Sequence, residues 1–188
     1  MTQNDPEGAA LLVLHMQKGV VARRPDGGAA VVTRVAAAIG AARSRGVPII
    51  FVRMAFRRGR PEARPERRSN PFFAEFEPGR PSVELHDGLG WRPEDLVVDG
   101  SRGSAFKGTD LEILLRAMGA GRLVLTGIGT SGVVLHTLTE AADLDFRVTA
   151  LSDGCADPDA EVHRVLCEKV FPVRAQVTTV EDWMRSLA

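Results

Sequence analysis

The chain has 188 residues, the length of one domain, and its 44% hydrophobic and 26% charged residues are typical of a globular protein. Its 24 lysines and arginines balance 24 aspartates and glutamates, so the overall charge predicts neither a nucleic-acid partner nor a membrane partner. The absence of an apolar run of roughly eighteen residues, of a secretion signal and of a cysteine framework predicts a cytoplasmic protein.

Short apolar runs alternate along the chain with segments that have helical spacing. Strands are predicted at Ala10–His15, Pro48–Arg53, Leu96–Asp99, Arg122–Ile128, Phe146–Ser152 and Ala175–Thr179. Helices are predicted at Ala29–Ser44, Thr109–Met118, Thr130–Leu144, Asp159–Val170 and Val180–Leu187, whereas Met54–Pro81 has no assigned structure. This alternation predicts a single α/β domain over residues 1–188, with three layers: about six parallel strands and helices on both faces.

The stretch Leu123–Val134, LVLTGIGTSGVV, contains a G-x-G-x-x-G pattern after a predicted strand. Asp153 follows about twenty residues later, which completes the outline of a dinucleotide-binding fingerprint. That fingerprint normally occupies the first strand-to-helix turn, but here the first turn reads MQKGVV. We therefore favour a tight turn whose glycines allow close backbone approach, and keep nucleotide binding as a remote alternative.

Several separated segments resemble the isochorismatase-like cysteine hydrolases, a superfamily that includes nicotinamidases and N-carbamoyl amidohydrolases. They are ALLVLHMQKG, then SAFKGTDL followed by TGIGTSGVV, and finally DGCADPD. The similarity runs from about Ala9 to Trp183. It implies a six-stranded parallel sheet, a pocket at the ends of the strands, a small-molecule substrate and a homo-oligomer.

The resemblance also implies an acid after the first strand, a lysine before S-A-F and a cysteine nucleophile after TGI-x-T. The corresponding residues in this chain are His15, Gly100 and Val133. Neither Cys155 nor Cys167 occupies the nucleophile position. Because valine has no nucleophilic atom, acyl transfer through this position is impossible.

His15 is the candidate catalytic residue, since imidazole suits general acid–base chemistry near neutral pH. Arg102 is the basic side chain nearest to the missing lysine and would attract an acidic ligand. The backbone amides of the following helix start would hold an oxyanion or carboxylate. The candidate substrate-binding residues are Arg102, Gly129, Ser131, Gly132, Val133 and His136. A helix cap and an exposed helix residue remain the alternative interpretations of Ser131 and His136.

The segment from Arg53 to Arg68 contains seven arginines beside only two acids, Glu62 and Glu66. We favour a solvated loop, with a gate for an anionic substrate or a contact between subunits as alternatives. Phe72, Phe73 and Phe76 follow, and core or interface packing is favoured over an aromatic wall above the pocket. Neither a metal nor another cofactor is expected, because this region has no histidine or aspartate where some family members bind a metal.

Three functions therefore remain open. The favoured one is a hydrolase-like enzyme that acts on a small molecule by a His15-assisted mechanism without a cysteine. The second is a catalytically inactive family member that binds a ligand or a partner subunit. The third is the nucleotide-binding alternative. The first is preferred to the second because His15, Arg102 and Ser131 would keep the pocket polar.

Overall fold

A six-stranded sheet, in which all neighbouring strands are parallel, forms the centre of the computed structural model, which describes residues 8–24 and 28–187. The strands are β1 (Ala9–Leu14), β2 (Ile49–Met54), β3 (Leu96–Gly100), β4 (Arg122–Ile128), β5 (Arg147–Ala156) and β6 (Gln176–Thr178). Their order across the sheet is β3-β2-β1-β4-β5-β6. The strand order runs outward from β1 in one direction and from β4 in the other. Open parallel sheets commonly bind ligands at such a reversal, beyond the carboxyl ends of the strands.

Helices follow most of the strands. They are α1 (Lys18–Val21), α2 (Ala29–Ser44), α3 (Pro65–Ser69), α4 (Pro71–Ala74), α5 (Leu111–Ala117), α6 (Leu135–Asp143), α7 (Ala160–Val165) and α8 (Val180–Ser186). Wide, π-type turns at Thr130–Val134 and Leu166–Val170 adjoin α6 and α7. Within the described ranges, no helix combines the length and apolar character needed to cross a membrane.

The sheet separates two apolar layers, as β1 illustrates. Leu11 and Val13 pack on the face covered by α2 and α8, whereas Leu12 and Leu14 pack on the face covered by α5 and α6. All six residues of β1 are buried. This two-sided burial explains why the strand is continuously apolar rather than alternating.

The predicted fold class is confirmed, and the main differences concern where elements end. β5 extends to Ala156, past the predicted end at Ser152, and pairs with the end of β4 after a register shift between Leu125 and Gly127. Asp153 belongs to this extension, and its Oδ1 accepts a hydrogen bond from the Val180 amide at the start of α8 (2.7 Å). The unassigned segment Met54–Pro81 contains the short helices α3 and α4.

The glycines of the fingerprint have structural roles of their own. Gly127 has φ +140°, and a Cβ at this position would overlap the carbonyl oxygen of Leu14 on the neighbouring strand. Gly129 has φ +99°, and Gly132 adopts non-helical angles (φ −103°, ψ −108°) inside the π-type turn. Close backbone approach and turn geometry therefore account for these glycines, as the favoured interpretation of the pattern expects.

Substitution Gly127→Ala should lower the free energy of unfolding by at least about 3 kcal/mol, since the methyl group collides with rigid backbone at a positive φ. Chemical denaturation followed by circular dichroism measures the change. Gly40→Ala is the control, because Gly40 lies in α2 with open space around it and should gain about 1 kcal/mol. Equal stability of Gly127→Ala and wild type would contradict the close-approach argument.

Candidate functional site

The carboxyl ends of the central strands border a cavity of about 280 Å³, named the His15 pocket below. Its charged or titratable lining consists of His15, Arg23, Arg24, Arg67 and Arg102. Its other lining residues are Val20, Met54, Phe72, Gly103, Ile128, Gly129, Gly132, Val133 and Pro158. No carboxylate is among these described lining residues, and the lining side chains favour a positive potential inside the cavity, although Glu75 pairs with Arg23.

His15 directly follows β1 and lies on the wall of this pocket. Its amide donates to the carbonyl oxygen of Val52 (2.8 Å), and its backbone has φ +53°, an uncommon conformation for a residue with a side chain. Burial and the nearby positive charge of Arg67 lower the pKa of His15 to about 4. The imidazole is therefore neutral at pH 7 in the unliganded pocket, and it is a weak base there.

Gln17 fixes the wall next to His15, and its role was not predicted from the sequence. Its side chain is fully buried and donates to the carbonyl oxygens of Met54 (2.9 Å) and Val83 (3.1 Å). Its Oε1 accepts from the Met54 amide (2.7 Å). The side chain thus bonds both the amide and the carbonyl group of Met54 and holds this residue against the pocket.

The turn after β4 supplies another part of the wall. Val133 is buried and lines the pocket, whereas the nearby amides bond within the protein. The Gly129 amide donates to Ala156 O (2.8 Å), and the Gly132 amide donates to Gly129 O (2.9 Å). The Ser131 amide donates to a carboxylate oxygen of Asp157 (2.7 Å). These three amides are engaged already, so the geometry does not support the oxyanion role expected for them.

Two predicted substrate-binding residues do not line the pocket. Ser131 is exposed, and its hydroxyl donates to Asp157 (2.8 Å), which anchors the turn. His136 is also exposed, and its Nδ1 lies 2.7 Å from the carbonyl oxygen of Gly132. The His136 ring packs beside Gly103, where a Cβ would lie 3.3 Å from it. Both side chains are therefore held on the outer surface of the wall.

Arg102 reaches the pocket, although the predicted lysine position does not. Its guanidinium donates to the backbone oxygen of Ser101 (3.0 Å) and to that of Glu62 (2.9 Å). Gly100 is buried at the end of β3 and is absent from the pocket lining. The loop after β3 thus presents Arg102, fixed by backbone oxygens, rather than the residue at the lysine position.

Arg67 is the functional candidate that the sequence did not single out. It lies on α3, with its guanidinium 4.4 Å from the ring centre of Phe73 and 5.6 Å from that of Phe56. No carboxylate pairs with it in the part of the chain that the structure describes. Burial and the charge of Arg102 lower its pKa from the usual arginine value. The aromatic rings position this cation without neutralising it.

The phenylalanines that follow the arginine-rich segment include one that packs in the core and one that lines the pocket, so both roles considered for them are found. Phe76 is fully buried in a cluster with Phe56, whereas Phe72 contributes a wall of the pocket. Arg23 lies over the Phe72 ring at 5.0 Å and pairs with Glu75 (2.8 Å). These contacts connect the end of α1 to α4 and close one side of the cavity.

Neither cysteine lines the pocket. Cys155 is buried in β5, and burial raises the pKa of its thiol far above the usual range. Burial also raises the pKa of Cys167 to about 11, and its Sγ lies 3.8 Å from a ring nitrogen of His163. Both thiols are therefore protonated at neutral pH and poor nucleophiles. Over residues 8–24 and 28–187, no group of three or more histidine, cysteine or acidic side chains could hold a metal ion.

Comparisons with known proteins agree with the fold. The pattern of the Isochorismatase domain family matches residues 9–182. The uncharacterized isochorismatase family protein YecD of Escherichia coli O157:H7 is 29% identical, over 100% of both chains. An Arabidopsis thaliana protein named "Probable inactive nicotinamidase" is 31% identical over 95% of this chain and 96% of its own. The crystal structure of a cysteine hydrolase from Pseudomonas syringae pv. phaseolicola has TM-score 0.89 and 25% identity, covering 100% of this chain and 95% of its own.

The pKa of His15 should be about 4 in a nuclear magnetic resonance titration, with the ring signals assigned by their loss in His15→Gln. Arg67→Met should raise this pKa, since it removes a positive charge that disfavours the imidazolium form. Arg64→Met is the control because Arg64 is exposed on the same segment outside the pocket lining. A wild-type value near 6.5 would contradict the description of the pocket.

Proposed function

This chain belongs to the Isochorismatase domain family, and from that premise we propose that it is a hydrolase-like protein that binds a small anionic molecule in the His15 pocket without a covalent bond to it. One observation carries the proposal. Four guanidinium groups and a neutral imidazole line the pocket, only Arg23 of the four being shown paired with a carboxylate, that of Glu75, and the described lining itself includes neither a carboxylate nor a thiol. Such a cavity recognises negative charge and offers no protein nucleophile to an acyl group.

Arg67 and Arg102 are the residues proposed to hold the anion. A guanidinium group forms paired hydrogen bonds with a carboxylate, and its charge is not lost at any ordinary pH. Burial, and after it the positive charge of Arg102, lowers the pKa of Arg67, so the two cations repel one another at the pocket. A bound carboxylate would relieve that repulsion.

The rest of the lining suits a compact, partly apolar ligand. Val20, Phe72 and Val133 form apolar walls near the charged groups. The volume of about 280 Å³ lies below the roughly 300–1,000 Å³ of pockets that hold drug-sized ligands. The proposed ligand is therefore a small monocarboxylate or a similar anion with a flat or aliphatic body.

His15 is proposed to become the proton acceptor once the anion is bound. Without a ligand, Arg67 helps to keep the imidazole neutral and weakly basic. A negative charge beside His15 favours the imidazolium form, so anion binding would raise the pKa toward the range useful for proton transfer. The imidazole would then withdraw a proton from water or from the ligand itself.

A non-catalytic ligand-binding protein is the second candidate. The low pKa of His15 in the unliganded pocket favours it, because a base of this strength accelerates proton transfer poorly at pH 7. The relative with 31% identity, whose name describes an inactive nicotinamidase, points in the same direction. The two candidates share the anion site and differ in whether His15 changes the ligand.

Binding should depend on the charge of the ligand and on Arg67. In calorimetric titrations, small carboxylates should bind more tightly than their uncharged amide counterparts, and Arg67→Met should weaken carboxylate binding at least about tenfold. Arg64→Met should have no effect, since this exposed arginine on the same segment does not line the pocket. Equal affinity for acids and amides would contradict the proposal.

Any ligand found to bind should be tested for turnover with two further variants. His15→Gln should abolish product formation while the carboxylate still binds, because the amide side chain cannot accept a proton at neutral pH. Cys155→Ser/Cys167→Ser should retain turnover, and intact-protein mass spectra should show no adduct during the reaction. Loss of turnover in the cysteine variant, with a trapped fragment on a thiol of wild type, would contradict a non-covalent mechanism. If neither wild type nor any variant forms product, the second candidate, a non-catalytic ligand-binding protein, is favoured.

A further inference from the structure

The outer side of β3 has no strand beside it in the described part of the chain. β3 pairs with β2 on its other side and forms one margin of the sheet. Leu96 and Val97 on this strand are 38% and 37% exposed, and Trp91, in the loop before it, is 38% exposed. These three residues and the outer side of the strand are named the β3 edge surface below. It includes none of the described residues that line the His15 pocket.

The register between β2 and β3 decides which main-chain groups of β3 point outward. The Ala55 amide donates to the carbonyl oxygen of Gly100 (3.0 Å), so Gly100 directs its main-chain groups toward β2. Successive residues of a strand direct these groups to opposite sides. Val98 therefore also bonds toward β2, whereas the amide and carbonyl groups of Val97 and Asp99 point outward. Outward groups on an edge strand are a template for pairing with another strand.

The outward groups allow one favourable antiparallel register between β3 and the same strand of a second copy. In this register Val97 lies opposite Asp99 of the second copy, and a twofold axis passes through Val98. Each such pair exchanges both of its main-chain hydrogen bonds, and the axis repeats the pair. The neighbouring registers place Asp99 opposite Asp95 or Asp99 of the second copy, and like charges directly opposite each other destabilise a strand pair.

The side chains of β3 suit this register. Leu96 lies opposite Gly100 of the second copy, which has no side chain to collide with it. The methyl group of Thr109 lies 3.3 Å from the position of a Cβ on Gly100, so Leu96 would meet an apolar surface there. Asp99 brings no unpaired charge to the contact, because Arg53 donates two hydrogen bonds to its carboxylate (2.8 and 2.9 Å).

The charges at the two ends of β3 are complementary. Glu94 lies two residues before the strand, and Lys107 lies beyond its other end, two residues before Thr109. Both are exposed, and neither forms an ion pair within residues 8–24 and 28–187. An antiparallel arrangement brings the acid of each copy toward the base of the other, which favours this orientation.

We propose that the β3 edge surface binds a second copy of this chain through antiparallel pairing of the two β3 strands. The two sheets then join into one, and the exposed apolar side chains of both copies are covered. Two short strands bury a small area, so the dimer belongs to the weak, concentration-dependent class of interfaces.

Analytical ultracentrifugation over a range of protein concentrations tests the pairing. Wild type should associate to a dimer at about 100 μM and dissociate on dilution. Val97→Pro should raise the dimer dissociation constant at least about tenfold, since it removes an outward amide and leaves the bonds to β2 in place. Val97→Glu should raise it similarly, because it places like charges opposite each other. Thermal unfolding checks that each variant is folded.

Val173→Glu is the matched control for Val97→Glu. Val173 is 73% exposed and lies close to β6, at the other margin of the sheet. The same change of side chain there should leave the dissociation constant unaltered. Carboxylate binding in the His15 pocket should persist in both Val97 variants, so the two proposals can fail separately.

Hydrogen exchange identifies the surface that is used. The amides of Val97 and Asp99 should become protected as the protein concentration rises, whereas the Val98 amide should be protected throughout by its bond to β2. A wild type that stays monomeric at about 1 mM would overturn the proposal, as would a dimer that neither Val97 variant weakens. A dimer in which the Val97 and Asp99 amides remain unprotected would overturn it in favour of another interface.

Discussion

The close contact between β1 and β4 is the constraint on which the site depends. Gly127 passes so near the carbonyl oxygen of Leu14 that the backbone tolerates no side chain there. This contact brings the residue after β1 and the turn after β4 to one cavity. His15 and Val133 become parts of the same lining for that reason, although they are far apart in sequence.

In the function proposed above, charge rather than covalent chemistry dominates the resulting pocket. A thiol mechanism needs a nucleophile at the turn and groups that stabilise its ionised form. Here Val133 contributes only apolar surface, while Arg67 and Arg102 make the cavity positive and favour a neutral His15. Anion binding and proton acceptance would therefore be coupled, because each favours the other through the same local charges.

The sheet and its order of elements were accessible from the sequence because local patterns specify them. Apolar runs predicted all six strands, and the helical spacing of Ala29–Ser44 gave the bounds of α2 as observed. The end of β5 was missed since Asp153 and Gly154 have the composition of a turn. Their extended conformation depends on the register shift against β4 and on the start of α8, which are contacts distant in sequence.

The sequence by itself determined the fold class. It also predicted a pocket at the carboxyl end of the sheet, where the structure has a cavity lined by His15, Val133 and Arg102. Only the tertiary structure decided that Arg67 enters the pocket while Ser131 and His136 face away from it. The physical reason is that Arg67 belongs to a segment whose sequence has no periodic pattern. Packing against aromatic rings positions this segment in the fold. The orientation of a side chain in a turn likewise depends on distant hydrogen-bond partners, such as Asp157 for Ser131.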